Sequence, residues 1–131
     1  MSYLETKSQS NKSAGNLLKT KKYYTPSIHC FYYSCLQLVK HTLIHKEGVN
    51  HEEVNNNTEG MSSHNYLIQK VSQRLWLNNR PKEANDLKND FGILKRLRIK
   101  ADYEDIEITD LQSQKAKELN EKTLKTLKEE F

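Results

Sequence analysis

Glycine and proline are scarce in this chain of 131 residues, with four of one and two of the other. A β-sandwich or barrel needs many tight turns, so an all-β fold is excluded. Two cysteines, Cys30 and Cys35, cannot build a disulfide framework, and a reducing cytoplasm is the expected compartment. At about 100° per residue the pair would point to helix faces about 140° apart, so they cannot readily share a ligand. No apolar run is long enough for a bilayer. The stretch Met1–Lys22 is polar and lacks the apolar h-region of a secretory signal. The charge is also not lopsided. Residues 1–60 carry 7 Lys and Arg against 5 Asp and Glu, residues 61–131 carry 14 against 12, and the net charge is +4. That evenness excludes a basic tail and leaves nucleic-acid binding to a local patch.

What is present is helical periodicity in one domain, residues 1–131. Five segments are predicted. The first runs from Leu4 or Asn11 to Lys22 and is weakened by Gly15, since an interior glycine costs about 1 kcal/mol. The second starts at Thr25-Pro26, where Thr can cap and proline suits the first turn. Ile28, Phe31, Cys35, Leu38, Val39 and Leu43 form its stripe, and it should end near His45. The third spans Ser63 to about Asn78 on Leu67, Ile68, Val71 and Leu75. The fourth spans Pro81 to about Asp102 on Leu87, Phe91, Leu94, Leu97 and Ala101. The fifth follows a capping box, Thr109 with Gln112, and carries Leu111, Leu119, Thr123 and Leu127. Glu47–Ser62, rich in Asn, Glu and Gly, reads as an exposed connection. One-sided stripes must be buried against one another, so the predicted fold is all-α, an antiparallel bundle of four to five helices. The second helix belongs at its centre. The fifth, narrowest in apolar face, belongs outside.

Three stretches are more specific: Tyr23-Tyr24-Thr25-Pro26-Ser27 leading into Phe31-Tyr32-Tyr33-Ser34, then Ser62-Ser63-His64-Asn65, then Arg98-Ile99-Lys100-Ala101-Asp102-Tyr103. In this order, from about Ala14 to Leu127, they resemble the HEPN family, small helical bundles of prokaryotic toxin–antitoxin and defence systems. The branch it resembles ends its fourth helix in R-x-x-A-D-Y and opens its third with S-S-H. The resemblance implies a HEPN-like bundle that forms a homodimer or binds a nucleotidyltransferase-like antitoxin partner, with its polar motif facing a cleft. It also implies an RNA ligand. Many members are metal-independent ribonucleases whose arginine is followed four to six residues later by a histidine. Arg98 fits that arginine, but Tyr103 stands in the histidine place, and His64 is the last histidine in the chain. Tyrosine, with an ordinary pKa of about 10, is a poor base near neutral pH.

The catalytic candidates are therefore Arg98, Tyr103 and His64, and the binding candidates Asp102, Ser63, Lys95, Arg96 and Lys100. No metal and no cofactor is expected. Each candidate has a structural reading beside the functional one. Arg98 and Asp102 are spaced for an i,i+4 ion pair, with Tyr103 packing at the helix end. Lys95, Arg96, Arg98 and Lys100 could grip phosphates, or form a solvated face that suits the helix dipole. Tyr23, Tyr24, Tyr32 and Tyr33 could stack bases, or line a core edge or dimer interface. His41 and His45, at i and i+4, have metal-binding spacing without the companion Glu or Cys, so positive histidines at a helix C-terminus are the better account. A bundle with no catalytic site remains the third functional reading.

Overall fold

A computed structural model of the chain describes residues 2–56 and 63–131, apart from the side chains of Asn55, Asn56 and Ser63. Helix α1 spans Tyr3–Thr20, α2 Tyr24–His41, α3 His51–Asn56, α4 Ser63–Leu77, α5 Pro81–Tyr103 and α6 Asp110–Glu129. A π-helical turn, Thr42–Lys46, continues α2. Among the described residues there is no strand, and no helix is long and apolar enough to cross a membrane.

α2 is the central helix, packing against α1, α4, α5 and α6. Every member of its predicted stripe is buried. α1 reaches it through small residues: Ser8 donates to the Ser34 carbonyl at 2.7 Å, and Gly15 lies under Phe31. A Cβ on Gly15 would stand 2.7 Å from Phe31 Cε1, so glycine here marks a close helix approach and α1 runs through it unbroken.

Two expectations are corrected. α6 is not an outer helix; it packs on α1, α2 and α5. Its buried face includes Ser113, Asn120 and Thr123; the first two are polar and lay outside the predicted stripe, which therefore looked narrow, whereas Leu111, inside it, is 81% exposed. Two of them find partners across the bundle: Ser113 Oγ lies 2.7 Å from Ser27 Oγ, and Asn120 Nδ2 donates to the Phe31 carbonyl at 3.0 Å. Nor is the segment from residue 47 wholly an exposed connection. Asn50 Oδ1 accepts from the Glu52 and Glu53 amides, nucleating α3, and Val49 and Val54 are buried. Asn and Glu, read as loop composition, are also the residues of a helix N-terminus. The remainder of that segment, residues 57–62, lies outside the described residues.

Candidate functional site

Arg98 lies one turn before the end of α5 and is 8% exposed. Its face of the helix meets α2, so the guanidinium lies over aromatic rings and keeps only a small exposed surface. The guanidinium carbon is 4.8 Å from the Tyr32 ring centre, 5.9 Å from Tyr33 and 5.7 Å from Tyr103. Such stacking holds a planar cation without consuming its in-plane N–H donors. The ion pair with Asp102 exists, but at 3.7 Å it is long. Asp102 Oδ2 is closer to His29 Nδ1, at 2.9 Å. Arg98 Nε is buried with no hydrogen-bond partner among the described residues.

His64, in the first turn of α4, enters the same cluster. Its Nδ1 is 2.6 Å from Tyr32 Oη. Burial pushes its pKa down to about 4, and the charges of Arg98, Lys95 and Lys40 push the same way. Burial holds the Tyr32 phenol above its ordinary pKa. Both groups are thus neutral at neutral pH. The phenol and the imidazole share one hydrogen bond, whose direction follows the imidazole tautomer. Phe91 stacks on Tyr32 at 5.1 Å, and His29 on Tyr33 at 4.6 Å.

The structure therefore brings together Arg98, Asp102, Tyr103 and His64 from the predicted set. Tyr103 does not pack at the helix end; it is 74% exposed with its ring edging the guanidinium. The basic run divides. Lys95 is half-buried, donating to Asn65 Oδ1 at 3.0 Å, while Arg96 and Lys100 are exposed. Ser62 and the side chain of Ser63 lie outside the described residues. His29 was not singled out in the sequence, and Tyr32 and Tyr33 only as generic aromatics. Their spacing at i, i+3 and i+4 was the one available signal, since it sets all three on one helix face.

The other candidates fall elsewhere. His41 is buried, and burial lowers its pKa although Glu5 pulls it up, so it is not the positive C-terminal histidine expected. Its two nitrogens tie down α1: Nδ1 is 2.6 Å from Ser2 Oγ and Nε2 is 3.3 Å from Glu5 Oε2. Among the described residues no group of three or more His, Cys, Asp or Glu could hold a metal. Cys35 is sealed in the core, where burial raises its thiol to about 12.

The cluster holds a nearly buried cation whose Nε has no partner among the described residues, the Asp102 carboxylate, a neutral imidazole whose charged form is suppressed, and an exposed phenol ring at the rim. Comparison with family models, curated proteins and solved structures finds no match for the chain.

Proposed function

We propose that the chain is a HEPN-like helical module of a prokaryotic toxin–antitoxin or defence system, and that it binds RNA by seating a backbone phosphate on Arg98. One observation carries this reading: a guanidinium stacked against Tyr32 and close to Tyr103, with Nε unpaired and only a long contact to Asp102. A buried donor left unsatisfied costs about 1–3 kcal/mol, and a phosphate oxygen would satisfy it. Exposed Tyr103 offers a face on which a base can stack, and Lys100 and Arg96 add outlying positive charge. The resemblance supplies the homodimer and the nucleotidyltransferase-like partner as the assemblies in which such a module works.

The test is equilibrium binding of a fluorescently labelled single-stranded RNA to the wild type, Arg98→Ala and Arg98→Lys. Loss of a charge-assisted contact predicts at least ten-fold weaker binding by the alanine variant. Lysine should rescue little, because it lacks the planar fork that stacks between the rings. Equal binding by wild type and Arg98→Ala, with only a lower melting temperature, would reduce the motif to a structural tie. Light scattering at micromolar concentration checks the homodimer, and a strict monomer removes it.

A second reading, metal-independent cleavage, rests on Asp102 touching both His29 and Arg98, and on His64 nearby. Histidine suits proton transfer to and from a ribose hydroxyl far better than Tyr103 does. Incubation with RNA in EDTA, beside Arg98→Ala and His29→Gln, decides it. Intact RNA, or equal cleavage by both variants, leaves binding as the function.

A further inference from the structure

We propose that the groove between α4 and α5 is a track for single-stranded RNA that leads into the Arg98 cluster; the proposal rests on the RNA-binding reading above and extends it by naming where the rest of the strand lies. Two cavities line up along the contact of these helices. One, of about 270 Å³, opens beside Trp76. The other, of about 230 Å³, is floored by Phe91 and Gly92 and ends at Lys95. Gln69 and Lys88 line both, so the two cavities adjoin along the α4–α5 contact. Its inner end abuts the cluster: Phe91 stacks on Tyr32, which stacks on Arg98, and the Lys95–Asn65 bond sits next to His64.

Its lining selects the occupant. No described residue lining either cavity is acidic, and Lys88 and Lys95 supply charge for phosphates. The side-chain amides of Gln69, Gln73 and Asn85 offer donors and acceptors together, as base edges require. Trp76 is 55% exposed at the outer lip, a free ring face for a terminal base. Gly92 keeps the groove open where the strand must pass; the nearest atom to a Cβ there would be Arg96 Nη1, at 3.9 Å. From Trp76 to His64 along α4 is about 18 Å at the helical rise. That accommodates about five stacked nucleotides at about 3.4 Å each.

Trp76 is the only tryptophan in the chain, so its emission reports on the outer lip alone. The experiment titrates the full chain with an eight-nucleotide single-stranded RNA carrying a fluorophore, reading Trp76 quenching and RNA anisotropy in parallel. Wild type, Lys88→Glu and Arg98→Ala are compared, with polyglutamate and a dinucleotide as controls; Lys88 is exposed, so its variant should fold, checked by thermal melting. Expected are quenching by the octamer and not by the dinucleotide, and at least ten-fold weaker binding by Lys88→Glu. If anisotropy shows Arg98-dependent binding while Trp76 emission stays flat and Lys88→Glu binds normally, the groove is overturned and the Arg98 reading stands. Quenching that needs Lys88 but ignores Arg98→Ala upholds the groove and removes the Arg98 site. Equal quenching by polyglutamate makes the groove a seat for acidic peptides and overturns the proposal. No RNA binding by either readout overturns both.

Discussion

Gly15 shows how a single residue can mean opposite things in the sequence and in the fold. In the sequence it only weakens α1. In the fold it admits the Phe31 ring, fully buried and unable to retreat. Gly15→Ala therefore sets a helix-propensity gain of about 1 kcal/mol against overpacking of about 1–3 kcal/mol. The expected outcome is a lower midpoint in urea unfolding; a higher midpoint would mean α1 slides away from Phe31 without cost. The same contrast governs the site. Arg98 and Tyr103 were legible because they sit within one hexapeptide, but five residues set them about 140° apart on the helix, so their approach was not given by helical spacing. His64 was legible as a residue but not as a neighbour. His29 was invisible, since its bond to Asp102 joins α2 to α5, and nothing local in either helix announces the other.

At the scale of elements, periodicity located α2, α4, α5 and α6, because a one-sided stripe of Leu, Ile and Phe has no other way to be buried; α1, whose buried residues are Ser8 and Gly15, shows no such stripe. Periodicity failed where burial is polar or the element short. Ser113 and Asn120 lie unannounced on the inner face of α6, and α3 is too short to show a period. The helix starts were partly readable: Thr109 and Gln112 form the reciprocal capping box the sequence predicts, whereas Thr25 lies inside α2, whose cap residue is Tyr23 with no side-chain bond. Less readable were the C-termini. α1 and α4 both end with a left-handed residue, Lys22 at φ 67° and Asn79 at φ 62°, each followed by an amide bonded five residues back. This is the Schellman geometry that glycine normally closes. Asn tolerates the conformation, whereas Lys pays about 1 kcal/mol for it. Lys22→Gly should therefore raise the melting temperature by a few degrees in calorimetry, with Asn79→Gly giving less. A fall for Lys22→Gly would show that backbone freedom gained by the unfolded chain outweighs the relief.

For the molecule as a whole, two histidines are held neutral by the fold, and this makes stability depend on pH in one direction. His64 has a folded pKa of about 4 against 6.5 when unfolded, and His41 is shifted the same way by burial. Between those values the unfolded chain binds protons that the folded chain refuses. Stability is therefore complete above about pH 6.5 and is lost as pH falls towards 4. Burial is the main cause of the His64 shift, and the charges that add to it come from both packed neighbours, Arg98 and Lys95 on α5 and Lys40 on α2. With partial exposure discounted, the loss from His64 is on the order of 2 kcal/mol. Urea unfolding at pH 7.5 and pH 5.0 should show the fall, and His64→Gln, which keeps a hydrogen-bonding side chain beside Tyr32 but cannot titrate, should reduce it. An equal drop in wild type and variant would place the titration elsewhere, and a rise on acidification would mean that the imidazole takes its proton inside the cluster with Arg98 displaced from it.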